Sequence, residues 1–230
     1  MEAKENSSTK ARVEILDHGW VELQDMLGSD TDIVCAARTS YLGENKGEDR
    51  DKKLLFSLME HGHGAPFETA VFRFRLRAPV LVWWQLVRHR IASYDLQSGR
   101  YVQLQDDFYE PVLWRTDDGE SLFGEVALDF DAKLAAYYDI SRTLYQEALD
   151  EGISKELARL FLPGFAVYYI GVWTVNARSL MNFMKLRMDL HAQKEIRDYA
   201  WVIYEDFFKP NLPWTAEAFE RYVLKLEEEL

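Results

Sequence analysis

The stretch VFRFRLRAP, residues 71–79, constrains the fold more than any other part of the chain. Phe72, Phe74 and Leu76 alternate strictly with Arg73, Arg75 and Arg77. Successive side chains of a strand point to opposite faces, so this period of two predicts one apolar face and one basic face. A half-buried strand needs neighbouring strands and a layer against its apolar side. FAVYYIGVWTV, residues 165–175, is rich in aromatic and β-branched residues and reads as a buried strand. VEILDHGWVEL alternates around Asp17, His18 and Gly19 and predicts a β-hairpin.

Elsewhere the apolar period is helical. Ser29, Asp30 and Thr31 are placed to cap a short helix through IVCAARTSY. Leu54, Leu55, Leu58 and Met59 predict a helix over 49–61, with Gly62 positioned to stop it. HGHGAPFE reads as a loop. Pro79 suits the first turn of a helix through VLVWWQLVRHR. After an irregular acidic connection over 102–124, residues 127–151 predict an amphipathic helix with Leu134, Tyr138, Tyr145 and Leu149 on one face and Gly152 just past its end. Ser154 is expected to cap a shorter helix ending at Pro163. NARSLMNFMKLR resumes helical spacing, and two more helices are expected, over 192–208 and from a Thr215 cap to near Glu228. Residues 1–11 read as a disordered tail. With no repeat and no Gly/Ser linker, the expectation is an α+β fold, a single domain over 1–230 with a mostly antiparallel sheet packed by helices.

Charge is uneven. Asp and Glu number 39 against 27 Lys and Arg, a net charge of −12. That balance argues against general nucleic-acid binding, which needs a basic face. Yet five arginines and no acid lie between Glu68 and Asp95, and RHRIASYDLQSGRY, residues 88–101, holds three arginines and a histidine. No apolar run is long enough to span a bilayer. The polar start MEAKENSSTKAR does not read as a signal peptide, and the one cysteine, Cys35, excludes an internal disulfide. The expectation is a cytoplasmic protein that binds neither membrane nor nucleic acid.

Arginine offers planar, permanently charged donors that match phosphate oxygens. Ser98, Gly99 and Arg100 add a hydroxyl, an approachable backbone N–H and another guanidinium, a nest suited to a nucleotide phosphate. The alternative on residues alone is that Arg88, His89 and Arg90 are a solvated helix end, where the dipole favours cations. Asn176, Arg178, Asn182 and Arg187 sit among apolar residues, as does Arg159 in ELARLFLP. They read either as ligand groups or as members of structural ion pairs. His61 and His63 lack further ligands at a metal-site spacing, so no metal is expected. His63 and Glu68 read as loop residues at a pocket edge. Cys35, in the apolar run IVCAA, reads as a buried inert thiol. Ser98 reads as a ligand-binding hydroxyl, since it lacks the setting of a nucleophile. Trp83, Trp84 and Trp173 read as core.

RHRIASYDLQSGRY resembles the signature of the flavin-dependent thymidylate synthases: Arg88, His89, Arg90, seven residues, then Ser98. HGHGAPFE, APVLVWWQLVRHR, ELARLFLP, WTVNARSLMNF and LRMDLHAQ resemble further family blocks, in family order, from about Val13 to Trp214. The resemblance implies a homotetramer whose active sites form where subunits meet. It implies reductive methylation of deoxyuridine monophosphate (dUMP) to thymidylate: methylenetetrahydrofolate gives the carbon, FAD reduced by NADPH gives the hydride, and tetrahydrofolate is released. By motif, Gln85, Arg88, Ser98, Gly99, Arg100, Arg159 and Arg187 resemble the substrate set, with Arg187 the catalytic arginine against the uracil. Ser40, Glu68, Arg88, His89, Arg90, Asn176, Arg178, Asn182 and His191 resemble the FAD contacts, and His63 a folate contact. Two positions depart from the pattern. Ala65 stands where some members have threonine, and Leu96-Gln97 replaces a more familiar Glu-Leu. Two rivals fit the bare residues. A flavin and nucleotide binder without turnover is disfavoured by the intact Arg187 and Ser98. A hydrolase or phosphotransferase acting on phosphate would need magnesium held by carboxylates, and no acidic cluster accompanies the nest.

Overall fold

The computed structural model describes residues 12–40, 43, 47–105 and 107–225. The expected tail over 1–11 and the expected helix end near Glu228 lie outside these residues. Five antiparallel strands form one sheet: β1 Val13–Ile15, β2 Gly19–Leu27, β3 Val71–Pro79, β4 Ala92–Leu96 and β5 Tyr168–Asn176. Their order across the sheet is β1-β2-β3-β5-β4, so the fold is α+β as expected. The expected hairpin is β1–β2, with Ile15 opposite Gly19.

The alternation in β3 decides both faces of the sheet. Phe72, Phe74 and Leu76 are buried. Phe72 stacks on Phe208 at 5.8 Å, and Phe74 lies 5.7 Å from Trp173 of β5. Each such ring removed from water contributes roughly 1.5–3 kcal/mol. On the other face β2 supplies acids in register, Glu22 opposite Arg75 and Asp25 opposite Arg73. Arg77 departs from the expected basic outer face, because it is buried to 9 % exposure. Its guanidinium lies 4.9 Å from the Tyr168 ring and donates to the His18 carbonyl at 2.8 Å and to Asp107 at 2.7 Å. Arg77 thereby holds the 102–124 connection to the sheet.

Helices α1 Asp30–Thr39 and α2 Glu48–Glu60 follow the sequence reading. Ser29 accepts from the Asp32 amide as N-cap, and Gly62 (φ 70°) ends the second helix. Asp30 reaches across to accept from the Trp214 and Thr215 amides, at 2.8 and 3.0 Å, and from the Thr215 hydroxyl. Asp30, not Thr215, is therefore the group that satisfies the start of the last helix, Pro213–Phe219. The loop HGHGAPFE closes into a 3₁₀ turn over Ala65–Thr69.

Helix α3 is Val80–Leu86, shorter than the sequence suggests. The Tyr94 hydroxyl lies 2.8 Å from the carbonyls of both Leu86 and His89, serving the end of the helix and turning Arg88–Arg90 out of it. β4, which had no separate signal in the sequence, follows at once and pairs with β5. Helix α4, Gly124–Asp150, packs Tyr138 and Tyr145 on a second small core with Leu104, Phe108 and Leu162. Ser154 accepts through its carbonyl, not its hydroxyl, and the helix after it, α5, is only Lys155–Ala158 before a 3₁₀ turn. α6 is Ala177–Arg187, and α7, Lys194–Val202, runs on through a π-helical stretch to Phe208. Two expected core residues are at the surface. Trp84 is 61 % exposed, against the edge of Phe165. Cys35 is exposed because α1 buries Ile33, Val34 and Arg38 on its opposite side. Among the described residues no helix is long and apolar enough to cross a membrane.

Candidate active site

Three elements converge where α3 ends. Helix α3 delivers Gln85 and the turn after it delivers Arg88, His89 and Arg90. α6 starts directly off β5, with the Asn176 side chain accepting from the Ser179 amide at 2.9 Å. Its last residue, Arg187, returns to the same place. Arg187 Nη1 donates to Gln85 Oε1 at 3.3 Å, and Nε donates to His89 Nε2 at 3.2 Å. The His89 ring stands edge-on to buried Phe183 at 5.0 Å. Burial, with the neighbouring Arg187 charge, lowers the His89 pKa to about 4. The imidazole is therefore neutral near pH 7, and its Nε2 is free to accept.

Arg88, His89, Arg90 and Arg187 line a cleft of about 550 Å³ together with Glu68, Arg178 and Asn182, while Gln85 and Asn176 stand behind its wall. Arg178 donates to Glu68 at 2.6 Å. It lies against Gly64, where a Cβ would come within 2.6 Å of its Nε. Among the described residues Arg88 and Arg90 have no carboxylate partner, so their forks are available to an anion. The cleft continues past the 62–64 turn into hollows lined by His63, Asn182 and Arg178 on one side and by Ser40, His63 and Ala65 on the other. Ala65 offers a methyl group there.

The other half of the arginine set lies elsewhere. Ser98, Gly99, Arg100 and Arg159 gather past the far end of β4. The Ser98 hydroxyl accepts from the Arg100 amide at 3.3 Å, and buried Gly99 leaves room for Arg159, whose Cδ lies 3.4 Å from where a Cβ would be. Arg100 pairs with Glu156 at 3.2 Å. The five residues of β4 separate the two groups by about 15 Å at the usual strand rise. Gln97 is occupied with β5, its amide donating to the Ile170 carbonyl at 2.8 Å and its side chain accepting from the Ile170 amide. His191 is not among the residues that line the cleft; its ring contacts Asp189 at 2.8 Å.

Sequence reasoning missed Tyr94, Gln193 and Glu195. Gln193 accepts from Gln85 at 2.8 Å and donates to buried Glu195. An acid in the first turn of a helix reads as a surface charge favoured by the dipole, so nothing in the sequence marks Glu195.

A sheet-edge cleft with two guanidiniums that have no carboxylate partner among the described residues, beside a neutral histidine, offers donors suited to an anion. The chain belongs to the family described as thymidylate synthase complementing protein, whose model matches residues 22–214. It is 44% identical over 217 residues to the flavin-dependent thymidylate synthase of Thermotoga neapolitana, covering 93% of this chain and 96% of that one. The flavin-dependent thymidylate synthase of Thermus thermophilus is 38% identical over 217 residues, covering 93% of this chain and 80% of that one. Among solved structures, a UMP/dUMP methylase PolB from Streptomyces cacaoi bound with 5-Br dUMP matches with a TM-score of 0.83 and 30% identity, covering 91% of this chain and 98% of that one.

Proposed function

We propose that this chain is a flavin-dependent thymidylate synthase that methylates dUMP to thymidylate, with methylenetetrahydrofolate as carbon donor and NADPH as reductant. FAD, when bound, supplies the hydride. The observation that carries the reading is the meeting of Arg187 with Gln85 and His89 at the rim of a cleft holding unpaired Arg88 and Arg90. This donor set fits a phosphorylated flavin. Arg88 and Arg90 would hold phosphate, while Arg178, fixed by Glu68, Asn176 and Asn182 would orient the polar edge of the ligand. Ser40 lies in the continuation of the cleft, and His63 beside it would bound the folate.

Toward the nucleotide, Gln85, Arg88 and Arg187 act together. Two donors of Arg187 are used within the protein, and the rest can stabilise negative charge growing on the pyrimidine carbonyl. Neutral His89 orients this guanidinium without repelling it. No protein nucleophile is required, and Cys35 does not line the cleft.

The separation of Ser98, Gly99, Arg100 and Arg159 from Arg187 supports a homotetramer in which one site draws on more than one protomer. So does the exposed apolar stripe of Phe130, Tyr137, Ile140 and Leu144 on α4. The test is spectroscopic. Reconstituted protein should hold FAD with a perturbed visible spectrum, lose that colour with NADPH under anaerobic conditions and regain it in air. A folded protein that holds no flavin would overturn the proposal.

A further inference from the structure

We infer that Glu195 and Gln193 are positioning residues that fix which end of the Gln85 amide faces Arg187, a role that rests on the proposed reading of Gln85 and Arg187 as nucleotide-binding groups.

Glu195 stands in the first turn of α7 and is 2 % exposed. Its Oε1 accepts from the Tyr109 hydroxyl at 2.7 Å and from Arg115 Nη2 at 2.6 Å, and its Oε2 accepts from Gln193 Nε2 at 2.8 Å. Burial alone would push this carboxyl up, but the bonds from Arg115, Tyr109 and Gln193 outweigh it and hold the group below the ordinary glutamate value. Near pH 7 Glu195 is an acceptor only.

That fact propagates through two amides. Gln193 must turn its nitrogen to Glu195, which leaves its oxygen outward. Gln85 then meets that oxygen with its own nitrogen, at 2.8 Å. The Gln85 oxygen is left toward α6, where Arg187 Nη1 donates to it at 3.3 Å. A reversed Gln85 would set an NH₂ group against the guanidinium, donor against donor. Gln193 is exposed, so its bond to Gln85 competes with water and has little directional force by itself. The force comes from Glu195, which is buried and charged. Two of its three side-chain donors, Tyr109 and Arg115, come from the 102–124 connection, whose contribution to the cleft is thus electrostatic and indirect.

Gln193→Leu leaves Tyr109 and Arg115 on Glu195, so the fold should stand. The variant is expected to bind dUMP about 3- to 10-fold more weakly by calorimetry, the loss of one directed hydrogen bond. The KM for dUMP should rise, with FAD affinity unchanged and Tm lowered by a few degrees at most, the loss of one of three side-chain donors to Glu195. Glu195→Gln keeps the shape but can face Gln193 with either end. It should weaken dUMP binding to a similar extent, and the double variant should lose no more than the larger single loss. Wild-type dUMP affinity in a folded Gln193→Leu protein would overturn the inference alone. A wild-type protein that binds no dUMP would overturn the functional reading, and this role with it.

Discussion

Arg187 Nε lies 3.2 Å from His89 Nε2, and the contact is a hydrogen bond only while that ring nitrogen carries no proton. The neutral imidazole thus follows from geometry as well as from burial.

In the ligand-free protein His89 should titrate at about 4, well below the ordinary value of 6.5. The sign follows from linkage. Above pH 6.5 the ring is neutral in both states. As pH falls toward 4 the unfolded chain takes up a proton that the folded chain refuses, so stability is lost across that window. Ring-proton NMR should show one histidine displaced from the rest. In His89→Gln this part of the fall in Tm between neutral pH and about pH 4.5 should vanish. An ordinary His89 titration would contradict the assignment.

Gly64→Ala separates cleft shape from stability. The new methyl would fall within 2.6 Å of Arg178 Nε, and Arg178 is a flexible side chain on an open wall. It should swing off Glu68 at little cost, leaving Tm within about a degree and the protein at wild-type yield. FAD affinity should drop about tenfold, the order of one charge-assisted hydrogen bond. Flavin fluorescence titration measures it, and unchanged affinity would remove Arg178 from the FAD set.

Arg38 on α1 pairs with Asp51 on α2, and both side chains are 3 % exposed or less. Nε and Nη1 of Arg38 have no partner among the described residues. Asp51→Leu should therefore cost about 3–5 kcal/mol in denaturant unfolding, because a buried cation loses its counter-charge. Arg38→Met with Asp51→Leu should recover most of that loss. A double variant as unstable as the single would show that the pair is not the cause.

The sheet was legible where burial imposes a period. Phe72, Phe74 and Leu76 marked β3, and the aromatic run marked β5. β4 was not legible, since Ala92–Leu96 is short, carries Ser93 and Asp95, and owes its conformation to pairing with β5 on one side only. Arg77 misread for a related reason: alternation tells which face a residue points to, not that Tyr168 and Asp107 close over that face. Trp84 and Cys35 show the limit of hydrophobicity as a guide to burial on short helices. Arg88, Ser98 and Arg187 were found by family signature. The meeting of Arg187 with His89 across 98 positions, and the line from Glu195 to Gln85, exist only in the folded chain.

Conversion of dUMP to thymidylate by flavin chemistry at the Arg187 cleft is the reaction to test first. The most direct measurement is thymidylate formation, followed by mass spectrometry under anaerobic conditions with FAD, NADPH and methylenetetrahydrofolate, each omitted in turn. Wild-type protein should form product only with the complete mixture, and Arg187→Ala, folded and still binding FAD, should be slower by about 10²–10³-fold. Product without FAD, or an Arg187→Ala protein as fast as wild type, would contradict the account.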